Sequence, residues 1–411
     1  VRPPLDLHLR RLYFGTFLFG MACGISLAIT SIYLNARGFR QHIGTLSIFF
    51  ASGLVLAAIP TGALIRRFSG KRVLTASMLG YTASLALFPL ASTYAAIAAV
   101  RFVDGICSMG IWVSSESIVL SRANKEHKAY LTTLYAICLG SGYVAGSGFA
   151  WVVGHFLTDQ TTFFCAAIIG LASMLYILFR VPLDTLDKGA SRSDEPAAPA
   201  EAPSAPLAIL WRIKNSCFAM FAYGYFQASV VLYLPLFMTH SKGIPEQNTK
   251  IFVGLFCFGM LTWSNFAGRI ADRMGHLRIM RILAFTGLLC VLGFVFIDAF
   301  WLMCVGVFVA GGTFGSMSGV SLALTGIVTE ARDYSRGNSI YNVFYAGGML
   351  IGPLLSGLIF ERFGGEKMLY HHAGLWAAFL LFTVIFMLDD PAARRKRAEE
   401  EKTPRAAAAG G

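Results

Sequence analysis

One long apolar stretch of this chain, from 94 to 120, carries three ionisable side chains, Arg101, Asp104 and Glu116. On a helix of 3.6 residues per turn these three, together with Ser108, Trp112 and Ser115, fall within about 60° of a single face. A charge facing hydrocarbon costs at least about 3 kcal/mol, so this face lines protein or a water-filled cavity. Arg101 and Asp104 are three positions apart and can neutralise each other across one turn. That suits either a structural pair or a carboxylate held ionised by its cation. Glu116 has no cation three or four positions away on its own helix, only Trp112, Val113, Val119 and Leu120. A carboxylate of this kind in a membrane span marks an ion pathway. Two roles stay open for it: proton carrier, or latch against a basic residue of a neighbouring connection.

The elements that must position these groups follow from composition. Of 411 residues, 56% are hydrophobic and 14% charged, with a mean hydropathy of +0.62. A water-soluble enzyme and a disordered chain are both excluded. A bilayer core about 30 Å thick needs about 20 apolar residues per helix. Twelve such runs occur, at 12–35, 43–65, 73–91, 94–120, 129–153, 161–179, 215–239, 251–268, 279–297, 299–329, 337–360 and 370–388. Open strands cannot satisfy their backbone in lipid, so the fold class is an all-α membrane protein of twelve transmembrane helices. The first run is too long for a signal peptide and lacks a cleavage site, so it is expected to be retained.

Lys and Arg set the orientation. With the N-terminus in the cytoplasm, the tails and the even-to-odd connections hold 27 of the 34 Lys and Arg, the asymmetry expected of cytoplasmic loops. The protein is therefore placed in the cytoplasmic (inner) membrane, multi-pass, with both termini cytoplasmic. The net charge of +12 is then topology, and nucleic acid is not an expected partner. The eight cysteines all lie within spans without a CxxC spacing, and His371 and His372 open span twelve as interface residues. No metal site and no cofactor are expected. GxSxG, P-loop and HExxH motifs are absent from the sequence, and GSGYVAG follows no strand, so the chain does not read as an enzyme.

The segment 182–210 is rich in Pro, Ala, Ser and acid and reads as a cytoplasmic linker. It separates an N-terminal six-helix bundle, 1–181, from a C-terminal one, 211–390, with a disordered cytoplasmic tail at 391–411. An offset of 206 residues superposes Gly62 on Gly268, Arg67 on Arg273, Arg72 on Arg278, Gly105 on Gly311, Tyr135 on Tyr341, Gly142 on Gly348 and Gly146 on Gly352. Glycine in membrane helices permits close backbone approach, so both halves are expected to pack by the same contacts, as parallel repeats.

These residues carry a resemblance. GRIADRMGHLRI, Gly268–Ile279, resembles the loop signature of the major facilitator superfamily; RFVDG, Arg101–Gly105, is similar to that family's R-x-x-Q-G motif of span four, with Asp104 in place of Gln, and GGMLIGPLLSG, Gly347–Gly357, in span eleven, resembles its Gly-Pro helix motif of exporters. The first-half loop GALIRRFSGKRVL, Gly62–Leu74, departs from the signature, with Arg66 at the acid position and its glycine displaced to Gly70. GSGYVAGSG in span five has Ser147 where a proline would stand. The resemblance, over residues 12–388, implies a fold of two parallel six-helix bundles with span four lining a central cavity. It also implies a gate built from Gly268, Asp272, Arg273, Gly275, Arg66, Arg67, Gly352 and Pro353. Asp272 would sit against the start of span five. Arg66 would make that gate asymmetric or, with Arg67, serve only as a positive-inside anchor.

The expectation is a monomeric secondary transporter in the lipid bilayer, moving a small-molecule substrate with protons. Glu116 and Asp104 would couple protons, and Arg101, Trp112, Ser108, Ser115, Tyr223, Gln227 and Ser316 would bind substrate. Thr30, Ser31, Asn35, Tyr225, Thr313 and Ser318 are softer candidates, which can equally serve helix packing. Export of drug-like or metabolite solutes is favoured; uptake of an anionic nutrient held by Arg101, or a receptor that does not transport, are the alternatives.

Overall fold

A computed structural model describes residues 7–122, 128–182, 205–330 and 333–387. In chain order the long helices are α1 (Leu7–Ala36), α2 (Ile43–Phe68), α3 (Gly70–Leu87), α4 (Tyr94–Arg122), α5 (Lys128–Val153), α6 (Asp159–Arg180), α7 (Pro206–Lys242), α8 (Ile251–Met274), α9 (His276–Phe296), α10 (Phe300–Val328), α11 (Tyr334–Phe363) and α12 (Gly365–Ile385). Among the described residues eleven helices are long and apolar enough to cross a membrane, or twelve when the stretch Glu246–Met274, bent by 41° after Ser264, counts as one span. The structure thus has the expected membrane fold. Each helix satisfies its own backbone where lipid offers no partner. Of the expected linker, 183–204 lie outside the described set, and α7 already starts at Pro206. The tail from 391 lies outside it too.

The helices cluster into two compact units. Unit 1 holds residues 1–197, 229–258 and 353–365; unit 2 holds 198–228, 259–352 and 366–411. Within unit 1, α1 and α5 approach until backbone meets backbone. A Cβ at Gly20, Gly24, Gly142 or Gly146 would collide with the carbonyls of Leu139, Tyr143, Phe17 and Met21 respectively. Small residues at such crossings gain packing energy that the apolar solvent itself does not supply. Within unit 2 the same device joins α7 to α11, where Gly348 meets the Phe221 carbonyl. The repeat is sharpest between α2 and α4 and between α8 and α10: Gly53 lies on the Phe102 carbonyl, and 206 residues later Gly259 lies on that of Phe308.

The same offset explains the departure in the first-half loop. Gly275, which caps α9, has φ 96° and ψ 134°; its counterpart Ser69, which caps α3, has φ 93° and ψ 149°. The turn is kept, and it is Ser69 that occupies the glycine place, while Gly70 is the first residue of α3. This backbone region is nearly exclusive to glycine and costs a side-chain-bearing residue on the order of 1–3 kcal/mol. Ser69→Gly is therefore expected to raise unfolding stability in detergent by about 1 kcal/mol, after the entropy that glycine adds to the unfolded chain. Gly275→Ser should lower it. Equal unfolding midpoints for wild type and Ser69→Gly would remove the strain.

One expectation is corrected. His372 is not an interface residue: it is fully buried, its ring against Tyr225 and Phe226, next to the stacked pair Phe314–Trp376. Its neighbour His371 shares a 2.7 Å hydrogen bond with the Tyr225 hydroxyl.

Candidate functional site

The site is built on α4. Its first turns place Arg101 and Asp104 one helical turn apart, and the guanidinium donates to the carboxylate at 2.6 Å. Ser108, a turn further, donates to the other carboxylate oxygen at 3.3 Å. The Arg101 guanidinium also lies over the Phe50 ring of α2, 4.4 Å from its centroid. Both charged side chains are nearly out of reach of solvent, 12% and 9% exposed. Charge, hydrogen bonds and ring face together compensate the desolvation of both partners. The pair is a closed unit within the bundle, with the cation already occupied.

Glu116, three turns on, is arranged differently. It is exposed and makes no ion pair among the described residues. Glu116 stands six residues before the end of α4 at Arg122, and an exposed carboxylate on a membrane helix has to meet water, because lipid would exact the charge penalty. On the same face, one turn earlier, the half-buried Trp112 has its indole N–H buried without an acceptor among the described residues. The hydroxyls of Ser31 on α1 and Ser114 on α4 are likewise buried without partners. Ser115 is buried. Orphaned donors of this kind each cost about 1–3 kcal/mol unless a water or a ligand completes them.

The second-half candidates divide. Ser316 is buried and donates to the Gly312 carbonyl of its own helix, as Thr30 does to that of Ser26 and Thr313 to that of Val309; these side chains satisfy themselves locally. Gln227 is half-buried and accepts from the Tyr345 hydroxyl at 3.0 Å, which leaves its amide N–H groups for other partners. Tyr223 is buried and stacks on Tyr345 at 6.0 Å with 18° between the rings, its hydroxyl 3.7 Å from the Met260 sulfur. Tyr345 and Met260 join the cluster although sequence reasoning passed over them. The only signal for Tyr345 was an aromatic residue in span eleven beside the Gly347–Gly348 pair.

The gate residues are placed as follows. Asp272 has a side chain 73% exposed, with His276 Nε2 at 3.4 Å. Arg273 and Arg67 are exposed, Gly268 is half-buried, and Gly275, Gly352 and Pro353 are buried. The side chain of Arg66, the connection 123–127 and the side chains of the first three residues of α5, 128–130, lie outside the described residues. A second set of contacts, which sequence reasoning missed, closes unit 1 on the side of the odd-to-even connections. Lys250, 5% exposed, donates to Asp159 at 2.5 Å. Ser147 Oγ donates to the Lys250 carbonyl at 2.6 Å and accepts from the Gly254 N–H at 2.9 Å. Gln247 donates to the Trp151 carbonyl, and Arg40 pairs with Glu361 at 3.0 Å. A proline at 147 has no hydroxyl to bridge these groups, so the departure at Ser147 gives this clasp its centre. Nothing local in the sequence joins Asp159 to Lys250, 91 positions apart.

All eight cysteines are free thiols, and no group of three or more His, Cys, Asp or Glu is arranged to hold a metal among the described residues.

Comparison with known proteins gives one consistent result. A family model described as Major Facilitator Superfamily matches residues 12–300 and 216–410. An uncharacterized MFS-type transporter of Yersinia pestis is 22% identical over 373 residues, covering 89% of this chain and 92% of the relative. The uncharacterized MFS-type transporter YcaD of Shigella flexneri is 21% identical over 370 residues, with the same coverage. Among solved structures, the nucleoside transporter NupG (D323A mutant) superposes with a TM-score of 0.78 at 14% identity, covering 92% of this chain and 99% of that one. The human organic anion transporter MFSD10 superposes with a TM-score of 0.66 at 15% identity over 92% and 99%.

Proposed function

The chain belongs to the major facilitator superfamily, and on that premise we propose that it is a proton-coupled secondary transporter of the inner membrane, exporting drug-like or metabolite solutes. The coarser part, a multi-pass membrane protein of a secondary-transporter family, rests on the family match and on the apolar helices. The finer part rests chiefly on one observation: Glu116 is an exposed carboxylate on a membrane helix that makes no ion pair among the described residues. Deprotonated, it needs water or a cationic group; protonated, it tolerates an apolar surrounding. A carboxylate that alternates between the two links solute movement to proton movement. Asp104, bound by Arg101 and Ser108, acts as a fixed element of the bundle. Trp112, on the same face of α4, offers its indole N–H for a solute.

The basic excess on the even-to-odd side supports cytoplasmic termini. The clasp of Lys250, Asp159 and Ser147 then lies on the outer side, where it has to open once per cycle. Uptake of an anion held by Arg101 is the less supported reading, since the guanidinium is already occupied by Asp104 and Phe50. The relatives' printed names leave the cargo open, and NupG and MFSD10 differ in theirs. Screening solutes for a rise in melting temperature finds a ligand. The test of the reading is then whether that solute carries protons with it across reconstituted vesicles.

A further inference from the structure

Tyr135 of α5 and Tyr341 of α11 are 206 positions apart, and so are Ser115 and Ser321 on α4 and α10, the helices that precede them. In unit 2 this Tyr–Ser pair is closed. The Tyr341 hydroxyl donates to the Ser318 carbonyl at 2.9 Å and shares a 2.8 Å hydrogen bond with the Ser321 hydroxyl. In unit 1 the pair is open. Tyr135 is buried, as Tyr341 is, and its hydroxyl lies beside Ser115 and within the field of the Glu116 carboxylate. Yet that hydroxyl completes no hydrogen bond among the described residues, and the Trp112 carbonyl, the counterpart of that of Ser318, is not used. The halves also differ at the next position of the chain: Leu322 follows Ser321, whereas Glu116 follows Ser115. The buried, unsatisfied donor thus stands in the half that carries the carboxylate, and close to it.

We infer that Tyr135 is a positioning residue for Glu116, its hydroxyl donating to the carboxylate when Glu116 is ionised. The inference rests on the reading of Glu116 as the proton carrier. Both groups gain by the contact: the buried hydroxyl acquires the acceptor it lacks, and a hydrogen bond to a charged group is stronger than one between neutral groups. Glu116 adjoins Ser115, so a change of side-chain rotamer, with the helices in place, brings its carboxylate to the hydroxyl. A phenol keeps its own proton at neutral pH, so it donates without competing for the proton that is carried. Cys23 of α1 also lies in the field of Tyr135. The Tyr13 hydroxyl of α1 is given to the Leu131 carbonyl at 3.0 Å, and the Arg101–Asp104 pair of α4 is closed on itself. A tyrosine that serves packing alone has its hydroxyl satisfied locally, as Tyr341 does.

The test reads the carboxyl group itself. Infrared difference spectra of the purified full-length protein in lipid are taken between acid and alkaline pH, and the carboxylate band that Glu116→Gln removes belongs to Glu116. Tyr135→Phe deletes only the hydroxyl, and it is expected to shift that band, because a carboxylate that loses a hydrogen-bond donor changes its stretching frequency. Tyr341→Phe, the same change in the other half, should leave the band in place. The two variants should also part in stability. Tyr341→Phe breaks the bonds to Ser318 and Ser321 and should lower the unfolding midpoint in detergent, whereas Tyr135→Phe removes an unsatisfied group and should leave the midpoint equal or higher. A Glu116 band that Tyr135→Phe leaves unshifted, or that Tyr341→Phe shifts as much, would overturn the inference while the carrier reading stands. If Glu116→Gln removes no titrating band, the carrier reading fails and this inference with it.

Discussion

Glu116→Gln is expected to reduce proton-coupled flux in reconstituted vesicles to the level of protein-free vesicles, while binding and solute exchange without a gradient persist. Glutamine keeps the size and polarity of the side chain and removes only its ability to take up and release a proton. A latch role predicts something else. A carboxylate that closes one side by pairing with a cation would, once neutralised, leave that side looser, and leak and exchange would both rise while coupling fell only in part. Glu116→Asp separates the readings further, since a carrier tolerates a displaced carboxylate at reduced rate. Full coupled flux in Glu116→Gln would move proton carriage to another group.

Asp104→Ala is expected to act on stability instead. Its removal leaves the Arg101 guanidinium, 12% exposed, without its counter-ion, and breaking one side of a buried pair costs about 3–5 kcal/mol. The loss should appear as a lower unfolding midpoint in detergent. The double variant Arg101→Met, Asp104→Leu should recover most of it, because apolar residues of similar volume often replace a buried pair at little cost. If the single variant unfolds at the wild-type midpoint, Asp104 has no structural part and rejoins Glu116 as a coupling candidate.

The helices themselves were legible because lipid leaves the chain so few choices. A run of 20 apolar residues has to be a helix, and the charge asymmetry of the connections does not depend on packing. Glycine register was legible for the same reason: an absent side chain matters only where two backbones meet, and the pair Gly53–Phe102 with its repeat Gly259–Phe308 shows that meeting twice. What could not be read is which face of each helix turns inward. In a soluble protein, polarity marks the outer face; here lipid and protein interior are both apolar, and the pattern carries little signal. His372 was misplaced on that account. It lies near a helix start, where sequence suggests the interface, yet neighbouring aromatic rings bury it. Lys250 falls in a connection between apolar runs, and its partner, Asp159, comes from a distant connection that no local pattern joins to it. The strain at Ser69 was hidden by an adjacent glycine that sequence alone takes for the displaced turn residue.

The central claim is that solute and proton share one carrier, and the most direct measurement is the internal pH of vesicles holding the wild-type protein and a pH-sensitive dye. A gradient of a bound solute, imposed first inward and then outward, is predicted to shift internal pH with a sign that reverses with the gradient, and Glu116→Gln vesicles should show no shift. An unchanging pH while the solute is seen to cross would contradict the account.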